Sequence, residues 1–124
     1  MATLETALKD AMVIEGAIGV ALVDYGSGMA LGTLGDNTEL DLNVAAAGNT
    51  DVVRAKMRTM EMLNLHDNDI EDMLITLSSQ YHLIRPLTTN TGRGLFLYLA
   101  LSRSRANLAM ARHQLKRIEA SIEV

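Results

Sequence analysis

Apolar residues recur at two spacings along the chain, and the points where the spacing changes mark its elements. Leu4, Ala7, Leu8 and Ala11 fall three and four apart, the period of one helical face. Thr3 precedes them as an N-cap, the helix is predicted to end near Ile14, and Gly16 supplies a left-handed stop. From Ala17 to Tyr25 the period drops to two. Ile18, Val20 and Leu22 lie on one side and Ala17, Gly19, Ala21 and Val23 on the other, so the strand is apolar on both faces and both are expected to be covered. Gly19 and Ala21 are small enough to let a helix come close. Gly26-Ser27-Gly28 makes a turn, Met29–Leu34 returns as a second strand, and Gly35-Asp36-Asn37 breaks it.

Thr38 or Asp41 caps a longer helix, predicted to run to about Leu65. One face carries the polar stripe Asp51, Arg54, Arg58 and Glu61, and the opposite face collects Val52, Val53, Met60 and Leu63. Ala45, Ala46, Ala47 and Gly48 form a flat patch upstream. Gly48-Asn49 weakens the helix by about 1 kcal/mol relative to Ala, which predicts a bend or a break there. His66–Asp72 reads as a polar, acidic, solvated loop. Three strand-like runs follow: Met73–Ser78, Tyr81–Leu87 and Leu95–Leu101. Ser78-Ser79-Gln80 links the first two as a hairpin. Thr88–Gly94 links the last two, with Asn90, Gly92 and Gly94 as turn formers. Leu95–Leu101 is apolar throughout, which marks a central strand. Pro86 cannot donate to a ladder, so its strand ends or bulges there. The last helix is predicted from about Ser104. Leu108, Ala111, Leu115, Ile118 and Ile122 share one stripe, and Arg105, Arg112, Lys116 and Arg117 share another. The order α-β-β-α-β-β-β-α, rich in hairpins, predicts an α/β (α+β) fold. It is one mainly antiparallel five-stranded sheet with helices on both faces, in a single domain over residues 1–124.

Composition narrows the chemistry. A chain of 124 residues fits one domain, and 48% hydrophobic residues suffice for a core. With no Trp and one Phe, that core is built from aliphatic residues and eight Met, a side chain that fills irregular gaps and adapts to partners. The absence of Cys removes disulfides, thiolate nucleophiles and Cys-based metal sites. Met1–Asp10 carries acids and no apolar signal core, and no apolar run is long enough for a membrane span, so a cytoplasmic protein is expected. A net charge of −4 argues against nucleic acid as a partner. Thirteen of the fifteen acids precede residue 81, whereas seven of the eleven Lys and Arg follow it. Such a split is expected to be matched within the fold or across a dimer.

The candidate catalytic patterns fail on inspection. Gly26-x-Gly28 with Gly32 has its third Gly one position late and leads into a strand, where a dinucleotide loop needs a helix N-terminus. Asp67, Asp69 and Glu71 alternate like the start of a calcium loop, but Asp72 occupies the position that needs Gly and no Glu closes the site. His66, His82 and His113 have no metal-ligand spacing. Arg93 stands at a hairpin tip, from which an arginine finger could in principle reach a GTPase, but an exposed Arg at a turn reads first as a surface residue serving solubility. No catalytic residue, cofactor or metal is expected.

Three stretches carry a resemblance that extends over nearly the whole chain. Ile14-Glu15-Gly16-Ala17-Ile18-Gly19-Val20-Ala21-Leu22-Val23-Asp24 resembles the helix stop and first strand of the roadblock family of dynein light chains and bacterial GTPase-associated regulators. Tyr81-His82-Leu83-Ile84-Arg85-Pro86-Leu87 resembles its fourth strand, and Ala106-Asn107-Leu108 the opening of its last helix. The resemblance implies a dimer that regulates or scaffolds a small Ras-like GTPase, with no catalytic residues to carry over. In related dimers the long middle helices pack antiparallel and the third strands meet edge to edge. Here that implies a homodimer contact built from Val52, Val53 and Met60 with Met73, Leu74, Ile75, Thr76 and Leu77. An apolar edge strand also needs a cover on physical grounds. Asp51, Arg54, Arg58 and Glu61 would then face outward as the partner-binding platform. The alternative is a small-ligand-sensing domain of the same fold family, which an apolar pocket under the sheet with converging polar groups would favour.

Overall fold

The computed structural model describes residues 3–35, 38–89 and 92–122. The expected strand break at Asp36-Asn37 and the turn former Asn90 lie outside the described residues. The elements are α1 (Leu4–Val13), β1 (Ala17–Asp24), β2 (Met29–Gly35), α2 (Leu42–Met62), β3 (Met73–Thr76), β4 (Gln80–Pro86), β5 (Leu95–Ser102) and α3 (Leu108–Ser121), in the order expected.

Each helix begins where a short polar side chain satisfies its free N–H groups. Thr3 accepts from the Thr6 amide at 3.3 Å. Asp41, not Thr38, caps α2, accepting from Asn43 at 3.0 Å and Val44 at 3.2 Å. Asn107 caps α3 through the Met110 amide at 3.1 Å. The last helix therefore starts later than Ser104. Residues 102–106 are instead folded into a turn in which the Ala106 amide donates to the Ser102 carbonyl at 2.9 Å, and Arg105 stands outside the helix. Gly16, at φ +88°, stops α1 and abuts Ala106, whose Cβ and N lie 3.0 Å from where a Cβ would stand. At Gly19 a Cβ would stand 2.9 Å from Leu42 Cδ2, so the missing side chain lets the first turn of α2 close onto β1. Contrary to the expected bend or break, α2 runs unbroken through Gly48-Asn49.

The strands form one antiparallel sheet in the order β2-β1-β5-β4-β3. β5 is central and buries every residue from Phe96 to Leu101. Pro86 sits at the end of β4, opposite Phe96, where no further ladder bond is required of it. α1 and α3 cover one face, over a core that includes Leu8, Leu22, Leu83, Leu99 and Leu115. α2 covers the other, over Val23, Leu42, Val53, Ile84, Phe96 and Tyr98. At about 1.5–3 kcal/mol for each fully buried large side chain, these two layers supply the main stabilisation.

Candidate interaction surface

The 21-residue α2 buries a narrow stripe and leaves the rest in solvent. Leu42, Ala46, Thr50 and Val53 are buried against the sheet, and Met57 and Met60 are half-buried. Asp51, Arg54, Arg58 and Glu61 are all exposed, and none makes an ion pair with another described residue. Val52 is partly open. Val53 is fully buried within the chain, so its side chain supports the helix from within and offers no exposed surface. Beyond Met60 the helix end is apolar and exposed: Met62 is 72% exposed and Leu63 59%. A three-to-four spacing alone does not separate Val52 from Val53; the 100° between neighbours places one outside and one inside.

β3 is an open edge, bonded to β4 alone. Its side chains alternate. Met73 and Ile75 turn half-buried toward the α2 side, opposite Ile84 and His82, while Leu74 and Thr76 are exposed; Leu77, just past the strand, is exposed as well. The strand ends at Thr76, two residues earlier than expected, because the Leu77 amide already closes the hairpin onto the Gln80 carbonyl at 2.8 Å. α2 packs chiefly on β1 and β2; Ile84 on the same face of β4 is fully buried, but toward the β3 edge Met73, Ile75 and His82 are left only half-buried.

A polar chain runs into that half-open face. His82 contacts Gln80 Oε1 through Nε2 at 2.8 Å and the Tyr98 hydroxyl through Nδ1 at 3.2 Å. The assignment that gives each contact one donor is a neutral ring with its proton on Nε2 and the tyrosine donating to Nδ1. Burial keeps the His82 pKa below its ordinary value and pushes Tyr98 up to about 12. The His82 and Tyr98 rings meet edge to face at 5.3 Å.

On the opposite face lies an ion network that the sequence reading missed. Arg85 and Glu119 are both buried and paired, Nε to Oε1, at 3.3 Å. Arg85 Nη1 also approaches Asp72 at 3.9 Å, and Asp72 accepts two 2.8 Å bonds from Arg112. These bonds raise the Arg112 pKa further above its ordinary value. The acidic loop is thus solvated only in part. Its last residue is locked to α3, and Glu71 faces Lys116 at 3.7 Å. The acidic and basic halves of the sequence meet here, within one fold. Two signals were visible: a lone Arg in an apolar strand, and Glu119 inside the apolar stripe of the last helix.

Among the described residues no group of His, Asp or Glu could hold a metal ion, and no helix is long and apolar enough to cross a membrane. A cleft of about 540 Å³ at the end of the sheet is lined mainly by polar groups of Glu39, Ser78, Ser79, Gln80, Ser102 and Arg103. It is not the apolar pocket under the sheet that a ligand sensor would show.

Five antiparallel strands in this order, with two helices on one face and a long helix on the other, define a roadblock/LC7 fold, as the resemblance implied. Among the solved structures it resembles are three bacterial ones. A Roadblock/LC7 domain from Streptomyces avermitilis aligns with a TM-score of 0.75 at 13% identity, over 97% of this chain and 94% of that one. Myxococcus xanthus MglB aligns with a TM-score of 0.72 at 17% identity, over 92% and 83%. MglC from the same organism aligns at 0.59 and 20% identity, over 94% and 92%. No protein-family model and no curated protein matches the sequence. At these identities the likeness is one of fold.

Proposed function

We propose that the protein is a non-catalytic regulatory or scaffolding protein of the cytoplasm that homodimerises and binds a small Ras-like GTPase or its signalling complex. The observation that carries this reading is the half-covered sheet ending in an open apolar edge. Along β3 Met73 and Ile75 are only half-buried on the α2 side, and Leu74 and, just past the strand, Leu77 are exposed. Exposed strand edges of this kind are ordinarily blunted or paired. A second copy related by a two-fold axis supplies both missing parts, a strand for the edge and an α2 for the face. Val52, Met60 and the apolar end of α2 then join β3 in the contact. MglB has been seen in a tetrameric arrangement, so self-association occurs on this fold.

In such a dimer the two outward stripes of α2 lie side by side. Arg54 and Arg58 offer planar forks of donors to acidic groups of a GTPase, and Asp51 and Glu61 set the register. The test is the double variant Arg54→Glu with Arg58→Glu. Surface changes stay within about 0.5 kcal/mol, so the dimer and its melting temperature should hold. Capture of a small GTPase from native extract should weaken tenfold or more, about 1.4 kcal/mol. Unchanged capture by an intact dimer would move the contact to the basic face of α3.

A further inference from the structure

β3 is four residues long and has a single neighbour in the sheet, yet both of its ends are tied to the segment that follows β5. At the start, Asp72 accepts from Arg112 Nε and Nη2, both at 2.8 Å. The Asp72 side chain is only 10% exposed, and Arg85 backs it from below at 3.9 Å. At the finish, the Leu77 carbonyl accepts from Arg103 Nη1 at 2.9 Å. The Arg103 guanidinium lies 5.2 Å from the Tyr81 ring centroid, and its own amide donates to the Ser79 carbonyl at 3.0 Å. One arginine thus grips each end of the strand.

A four-residue edge strand with half-exposed side chains opens easily, since short peripheral elements have little buried surface to hold them. A two-point arginine–carboxylate grip fixes geometry as well as distance, and a nearly buried carboxylate is poorly screened by salt. We propose that Arg103 and Arg112 are positioning residues for the β3 edge, which hold Asp72–Leu77 extended and in register so that it pairs with a second copy of this chain. The inference rests on the reading of β3 as the dimer edge and adds what prepares that edge.

The experiment compares Arg103→Gln, Arg112→Gln and Arg112→Lys with the unmodified chain, by hydrogen exchange resolved to single amides and by sedimentation equilibrium. Lys116→Gln, which loses only the exposed contact to Glu71, is the control. Either Gln variant should speed exchange of the Met73–Leu77 amides about tenfold while β1 and β5 keep their protection. The dimer should weaken by a similar factor, about tenfold. Arg112→Lys keeps the charge but not the fork and should fall between, and Lys116→Gln should change neither quantity. Unchanged β3 exchange in both Gln variants overturns the inference, as does faster exchange spread evenly over the whole sheet. Faster β3 exchange with an unchanged dimer overturns the claim that the grips prepare the edge for pairing. A monomeric unmodified chain refutes the dimer reading itself, and the exchange measurement then still decides whether the grips hold the strand.

Discussion

The side chain of Val53 is buried in the core of its own chain, and that decides what replacing it does. Val53→Asp puts a carboxylate into the layer beneath α2 with no partner. The cost of several kcal/mol is a large share of the roughly 5–15 kcal/mol that holds a domain together. The variant should lose its cooperative melt at neutral pH; a folded, merely monomeric product would contradict the packing. His82 makes a subtler prediction. Its folded pKa lies below the ordinary 6.5 because of burial, so as pH falls through 6.5 the unfolded chain binds its proton first. Stability from this group is complete above 6.5 and is lost progressively below it, down to the folded pKa. The urea midpoint should therefore be lower at about pH 5.5 than at about pH 7.5, and His82→Gln should reduce that difference. An identical pH response in the variant would remove the group from the account. Residue roles were the least legible part of the sequence. Arg85 stands out in its apolar run, but its partner Glu119 lies 34 positions away, and only the fold brings the two together.

Helices and strands were legible in the sequence because their periods are physical: 3.6 for a face that packs, two for a strand between layers. The exceptions lie where one local preference met a stronger tertiary one. At Gly48 the propensity cost of about 1 kcal/mol argued for a break. The buried stripe of Leu42, Ala46, Thr50 and Val53 runs across the glycine on both sides and outweighs that cost, with Thr50 Oγ1 also donating to the Ala46 carbonyl at 2.7 Å. Gly48 is exposed, and a Cβ there would meet nothing within 4 Å. Gly48→Ala should accordingly stabilise the protein by about 0.5–1 kcal/mol in chemical denaturation. A loss of stability would mean that the backbone at Gly48 is not plain helix. The start of α3 shifted for a different reason. Ser104 and Asn107 are both competent caps, and the turn closed by the Ser102 carbonyl leaves only Asn107 in place to do it.

For the whole molecule, the apolar pattern specified five strands and two covered faces, and the all-apolar β5 specified the centre of the sheet. The strand order around that centre was not readable from periodicity, because hairpins fix only sequential neighbours and the β1–β5 pairing spans most of the chain. Charge carried a whole-molecule message as well. The acidic loop before β3 and the basic last helix, separated in sequence, neutralise each other at Asp72, Glu71, Arg112 and Lys116. The surface left over is an apolar edge beside a half-covered stretch of β3, and in the proposed dimer a second copy covers both. The direct measurement is the molar mass of the purified protein at micromolar concentration by light scattering, with Ile75→Lys beside it. The unmodified protein should have twice the 13.5 kDa of the chain, and the folded variant, whose half-buried edge position then carries a charge, 13.5 kDa. A mass of 13.5 kDa for the unmodified protein, or a dimer undisturbed by the lysine, would contradict the proposed dimer contact.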